Sequence, residues 1–168
     1  MKRLERLSGG ESTMFVETSC EEETRSVGEI LGRLAPAGTS VSLQGDLGAG
    51  KTVLAGGIAS GLGIEAEVLS PTFILVEEYR GGDLPLLHFD LYRLEELGEV
   101  ERIGLFDAVD GANIVLVEWG DRLPEGSMDF DAVVSIEAAG PGGRRITVRG
   151  SDSLVSALES AIRRGGAA

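Results

Sequence analysis

The sequence has little sulfur, little imidazole and little lysine: one cysteine, one histidine and two lysines in 168 residues. A lone Cys20 excludes an intramolecular disulfide, and one cysteine with one histidine (His88) cannot build a Cys/His zinc cage. No apolar run approaches the ~18 residues that a bilayer-spanning helix needs. The opening residues MKRLERLSGG carry charge where a secretion signal needs an apolar stretch. A cytoplasmic location with no membrane partner is expected. Positive charge is also scarce, with 15 basic against 28 acidic side chains and a net charge of −13. That balance opposes approach to a polyanion, so direct tRNA binding by the chain alone is not expected. It does not disfavour a single nucleotide held by backbone N–H groups in a local pocket.

What is present fits one globular α/β domain. The apolar fraction is 42% and the charged fraction 26%, and 168 residues suffice to bury roughly two thirds of the unfolded surface. The expected organisation is a flexible segment over 1–12, a domain over 13–164 and a frayed tail over 165–168. Glycine, at 25 residues, is about twice its ~7% average, which predicts many tight turns.

Short β-rich runs alternate with helical spacing. A strand over Thr13 to Glu17 precedes a helix over Glu21 to Leu34, which carries Val27, Ile30, Leu31 and Leu34 on one face and stops before Pro36. A strand over Thr39 to Leu43, a glycine-rich loop over Gly45 to Gly50 and a helix over Lys51 to Leu62 follow. Phe73 to Tyr79 and Leu84 to Leu91 read as a hairpin across Gly81, Gly82 and Asp83, so the sheet must be mixed rather than wholly parallel. Leu94 to Ile103 reads as an acidic helix, and the all-apolar Ile114 to Val117 as a buried central strand. A second hairpin, Asp131 to Glu137 with Arg144 to Arg149, leads into a last helix capped by Ser151 or Asp152 and running to about Arg164.

Gly45-Asp46-Leu47-Gly48-Ala49-Gly50-Lys51-Thr52 has the phosphate-loop pattern of Gly, four residues, Gly, Lys and Ser or Thr, with a strand before it and a helix after. Glycines let successive N–H groups converge on one anion, and the helix N-terminus adds partial positive charge. The expected nucleotide contacts are Asp46, Leu47, Gly48, Ala49, Gly50, Lys51 and Thr52. Lys51 would reach the β- and γ-phosphates, and the Thr52 hydroxyl would hold Mg²⁺. The alternative is a chance glycine turn. Against it, Lys51 is one of only two lysines in a chain that otherwise uses arginine.

Hydrolysis would need further groups. Glu118 closes the apolar run, where a strand's C-terminal edge presents side chains to ligands; otherwise it is an exposed strand end. By alternation, His88, Asp90 and Tyr92 share one face, making Asp90 a candidate to orient water or to support Mg²⁺. His88 by itself reads as a structural histidine. Arg93 either neutralises phosphate or pairs with a following glutamate. Ser70-Pro71-Thr72-Phe73 is either a γ-phosphate sensor or a plain turn. Trp119, the sole tryptophan, is either a core ring or a neighbour of the nucleotide.

Together, GDLGAGKT, SPTF at Ser70 to Phe73, HFDLYR at His88 to Arg93 and VEW at Val117 to Trp119 resemble the bacterial tRNA threonylcarbamoyladenosine biosynthesis ATPase family (TsaE, formerly YjeE) over residues 13 to 120. The resemblance implies a single P-loop NTPase domain with a mixed parallel/antiparallel sheet flanked by helices. It implies an ATPase, weak alone and stimulated by partners, that uses ATP and Mg²⁺ to reset the TsaB and TsaD subunits of a threonylcarbamoyl-transfer complex. Carried onto this sequence, Lys51, Asp90 and Glu118 are the catalytic candidates, while Thr52, Glu118 and Asp90 face the metal. Thr72 lies in the switch-like segment, and Trp119 borders the nucleotide. Gly120-Asp121 after Trp119 and a shorter helix after Arg93 depart from the family pattern. The competing functions are a small-molecule or nucleotide kinase, for which no arginine-bearing lid insertion is apparent, and a nucleotide switch that does not hydrolyse.

Overall fold

The structure, a computed structural model, describes residues 3–6 and 10–165. Residues 166–168 of the tail expected to fray lie outside the described residues, as do 1–2 and 7–9 of the N-terminal segment. The chain begins with β1 (Arg3–Arg6), β2 (Glu11–Thr18) and α1 (Glu21–Leu34), followed by β3 (Ser40–Gln44) and α2 (Lys51–Gly61). The hairpin β4 (Val76–Tyr79) and β5 (Leu86–Asp90), two short helices α3 (Leu97–Arg102) and α4 (Leu105–Val109), and β6 (Ile114–Glu118) make the middle of the chain. It closes with β7 (Ala132–Ala138), β8 (Arg144–Ser151) and α5 (Asp152–Gly165). The strands form one eight-stranded sheet in the order β1-β2-β8-β7-β3-β6-β5-β4.

The sheet is mixed, as the hairpins require. β3 pairs in parallel with β6 and β7, and β5 in parallel with β6. The remaining pairs, β1–β2, β2–β8, β7–β8 and β4–β5, are antiparallel. All of β6 is buried because the sheet is covered on both faces: Ile114 and Leu116 join the core that includes α1, α2 and α5, while Val115 and Val117 join the core that includes α3 and α4. Alternate residues of one apolar strand thus feed two cores.

Helices α1 and α2 meet through glycine. A Cβ on Gly28 would stand 2.3 Å from the Leu54 carbonyl oxygen, and one on Gly32 would stand 2.2 Å from that of Ile58. From the other side, a Cβ on Gly57 would stand 2.1 Å from the Arg25 carbonyl, and one on Gly61 2.2 Å from that of Glu29. These four glycines, all within the helices expected from the sequence, are packing residues. Their spacing of four places each pair on one face of its helix. The close contact fixes α2, the helix that carries Lys51 and Thr52, against its neighbour.

Three expectations are corrected. β2 begins at Glu11 rather than at Thr13, and within the segment 1–12 Arg3–Arg6 pairs with it as an edge strand. A free antiparallel edge offers N–H and C=O partners to extended chain of any composition, which hydrophobic periodicity does not signal. The strand expected from Phe73 begins only at Val76, because residues 71–75 turn: the Ile74 and Leu75 N–H groups donate to the Pro71 carbonyl, and Leu75 has φ 70°. The helix expected over Leu94 to Ile103 shrinks to Leu97–Arg102, where the Glu99 carboxylate accepts from the Glu95 and Glu96 N–H groups at 2.9 and 3.2 Å. Gly104, at φ 77°, then starts the unforeseen α4. The expected cap of α5 is present, with Ser151 Oγ accepting from the Leu154 N–H at 3.3 Å.

Candidate nucleotide-binding site

β3 delivers the chain into the glycine loop, and α2 leaves it at Lys51. Gly45, Gly48 and Gly50 have φ of 138°, 77° and 111°, left-handed values that L side chains rarely adopt. Gly45 is constrained twice over, since a Cβ there would lie 2.3 Å from the Ile136 carbonyl oxygen on β7. The first N–H groups of α2 have no intrahelical acceptor, so the loop mouth presents donors. The Lys51 Nζ donates to the carbonyls of Gly45 at 2.8 Å and Asp46 at 2.9 Å, and stands 3.9 Å from the Trp119 ring centroid. Burial pushes the Lys51 ammonium below the usual lysine range; the carboxylates of Glu118, Asp90, Asp121 and Asp46 oppose that shift.

Two carboxylates face the loop from the adjacent strand ends. Asp90 and Glu118 are register partners at the C-terminal ends of β5 and β6, 1% and 3% exposed. An ordinary surface glutamate is thereby excluded for Glu118. Thr52 Oγ1 is 3.5 Å from Glu118 Oε1, and Ser70 Oγ is 3.5 Å from Glu118 Oε2. Asp90 is held at both oxygens: Oδ1 accepts from the Tyr92 N–H at 2.8 Å, and Oδ2 accepts from the Ser70 and Thr72 hydroxyls at 2.7 and 2.6 Å. The Ser70-Pro71-Thr72 segment is therefore tied to a carboxylate of the site and is more than a turn.

Leu47, Gly48, Gly50, Lys51, Thr52, Thr72, Asp90, Glu118 and Trp119 line one cavity of about 350 Å³. Asp46 and Ala49, the other two loop residues expected at the nucleotide, line the β7 side of the loop, where the Asp46 carbonyl receives Lys51 and the Ala49 carbonyl receives Arg144 Nε at 2.6 Å. Tyr92 reaches the cavity from beyond the end of β5, its ring centroid 5.0 Å from that of Trp119. Trp119 itself adopts φ 61°, with its N–H donating to Leu43 of β3 at 2.9 Å. Arg93, expected on phosphate or a glutamate, instead lies 5.2 Å from the Phe73 ring centroid. Residues unforeseen in the sequence complete the wall: Glu21 and Thr24 at the start of α1, and Gly142 and Arg144 at the β7–β8 turn. Arg144 braces the loop from 95 residues away, a distance over which no local pattern operates.

The donor set at the carboxylate end consists of oxygen: the Thr52 hydroxyl with the Asp90 and Glu118 carboxylates. Hard oxygen donors in small number suit Mg²⁺, which keeps waters and phosphate oxygens in its shell. Among the described residues, no cluster of three or more His, Cys, Asp or Glu side chains forms a protein cage for a metal. The residues present therefore fit a cation shared with phosphate.

A sheet covered on both faces, with this loop between its central strand and the following helix, defines a P-loop NTPase fold. The family model described as "Threonylcarbamoyl adenosine biosynthesis protein TsaE" matches residues 18–146. The tRNA threonylcarbamoyladenosine biosynthesis protein TsaE of Treponema pallidum is 40% identical over 127 residues, 76% of this chain and 93% of its own length. That of Synechocystis is 50% identical over 102 residues, 58% of this chain and 64% of its own. The crystal structure of YdiB from Bacillus subtilis superposes with a TM-score of 0.70 at 30% identity, covering 99% of this chain and 98% of that one. The chain belongs to the TsaE family.

Proposed function

We propose that this protein is an ATPase acting in tRNA threonylcarbamoyladenosine biosynthesis, and that ATP binding and hydrolysis reset a TsaB–TsaD transfer complex between rounds. The observation that carries the reading is the convergence of Lys51 and Thr52 with two buried carboxylates, Asp90 and Glu118, across one cavity. Carboxylates beside a triphosphate would repel it, so the arrangement makes sense only with a divalent cation between them. Mg²⁺, held by Thr52 and Glu118, would supply neutralisation of the phosphate charge.

The chain's own residues then have distinct tasks. Lys51 exchanges the Gly45 and Asp46 carbonyls for phosphate oxygens, keeping its hydrogen bonds while gaining opposite charge. Thr52 and Glu118 present oxygen to the cation. Asp90 Oδ2 is occupied by the Ser70 and Thr72 hydroxyls, and turning the Thr72 hydroxyl toward a γ-phosphate frees that oxygen to hold the attacking water. The division of labour also suits the charge: at −13, the chain is a poor tRNA binder but a fitting neighbour for a basic protein surface.

The test measures phosphate release by the purified chain alone and with the TsaB–TsaD pair, beside Trp119 fluorescence on nucleotide addition. A slow rate alone, stimulation by the pair, and a fluorescence change lost in Lys51→Ala are expected. Transfer of radiolabelled phosphate to a small-molecule acceptor would establish a kinase instead, and wild-type ATP affinity in Lys51→Ala would remove the cradle altogether.

A further inference from the structure

The His88 imidazole is completely buried and has no part in the roles assigned above. It lies on β5 with Leu116 of β6 as its register partner, and it reaches along the sheet to the strand end, where its Nε2 stands 3.1 Å from Glu118 Oε1. Its Nδ1 is buried with no hydrogen-bond partner among the described residues. A carboxylate oxygen accepts and has no proton to give, so the proton in this contact is carried by Nε2. The ring therefore donates to Glu118 Oε1. That oxygen also lies 3.5 Å from Thr52 Oγ1, while Oε2 lies 3.5 Å from Ser70 Oγ.

We infer that His88 is a positioning residue that pins the Glu118 carboxylate by an Nε2–H···Oε1 hydrogen bond, fixing the direction in which that carboxylate presents oxygen to a divalent cation. The inference rests on the reading of Glu118 as a cation-facing group. It departs from a plain core histidine in one respect: shape alone would be served by an apolar ring or chain, whereas positioning needs a donor at the far end of the side chain. Hydrogen bonds from outside the metal's own ligands commonly set carboxylate orientation, and their loss typically costs ~10- to 100-fold in metal affinity.

The experiment compares His88→Gln, His88→Asn and His88→Leu. The glutamine amide nitrogen falls near the position of Nε2, whereas that of asparagine reaches only as far as Nδ1. Affinity for a fluorescent ATP analogue is measured in EDTA and across a Mg²⁺ titration, with thermal unfolding of each nucleotide-free variant alongside. In the leucine variant, the Mg²⁺ concentration giving half of the metal-dependent affinity gain should rise about tenfold or more, with affinity in EDTA unchanged within about twofold, and glutamine should restore most of the loss. Should the leucine variant not fold, the same contrast between glutamine and asparagine decides. A wild-type Mg²⁺ requirement in the leucine or asparagine variant, equal impairment in all three, or an equal loss in EDTA overturns the positioning role. If the wild-type protein itself shows no Mg²⁺-dependent affinity, the reading of the site fails first and takes this inference with it.

Discussion

The glycine contact between α1 and α2 gives a substitution whose sign can be worked from distances. Gly32→Ala puts a methyl 2.2 Å from the Ile58 carbonyl oxygen, and separations below 3.0 Å are essentially never tolerated, so the helices must part by about 0.8 Å or more. The obstacle is backbone, which has no rotamer to yield. Overpacking costs ~1–3 kcal/mol where side chains can adjust, and a rigid obstacle puts this site at the upper end, about 3 kcal/mol. Alanine returns ~1 kcal/mol through its better helix propensity. The net loss is about 2 kcal/mol, and at ~2–4 °C per kcal/mol for a domain this size, Tm should fall by about 4–8 °C. Gly98→Ala on α3 is the matched control. Nothing lies within 4 Å of a Cβ there, so only the propensity gain of up to ~1 kcal/mol applies and Tm should hold or rise. Because α2 carries Lys51 and Thr52, Gly32→Ala should also weaken nucleotide affinity. Thermal unfolding by circular dichroism reads both variants. A Gly32→Ala protein as stable as Gly98→Ala would refute the close glycine packing and, with it, the account of how the loop helix is held.

Asp90→Ala should leave nucleotide affinity within a few fold while lowering the partner-stimulated rate by about 10² or more, measured as phosphate release at saturating ATP; an unchanged rate would remove Asp90 from the chemistry. Tyr79 should titrate late. Burial first, then its hydrogen bond to Glu77, push its phenol up to about 12 from an ordinary 10.0, and its oxygen accepts from the Leu69 N–H at 3.3 Å. A folded-state value above the unfolded one means that the folded chain keeps the proton longer, so this contribution to stability is whole below about pH 10 and is lost as pH rises toward 12. Absorbance at the tyrosinate band should show a late step near pH 12 that Tyr79→Phe removes; a late step that survives in Tyr79→Phe would contradict the assignment.

Local chemistry carried most of the site into the sequence. The loop Gly45 to Thr52 is legible because positive φ, convergent N–H groups and an adjacent ammonium demand those residue types in that order. Glu118 is legible because an uninterrupted apolar run must be a strand covered on both faces, and a charge ending it must emerge where the strand does. Period-two alternation likewise put His88 and Asp90 on one face. Pairing and packing partners were not legible, since they depend on residues distant in sequence. Only the assembled molecule made Asp90 and Glu118 register partners, brought Arg144 to the Ala49 carbonyl, and set Gly28 and Gly32 of one helix against Gly57 and Gly61 of the next. Likewise, the edge pairing of Arg3–Arg6 with β2 and the burial of His88 against Glu118 belong to the folded molecule alone. A residue's chemical capacity is intrinsic to it, whereas its partner is settled by which surfaces the whole chain brings into contact.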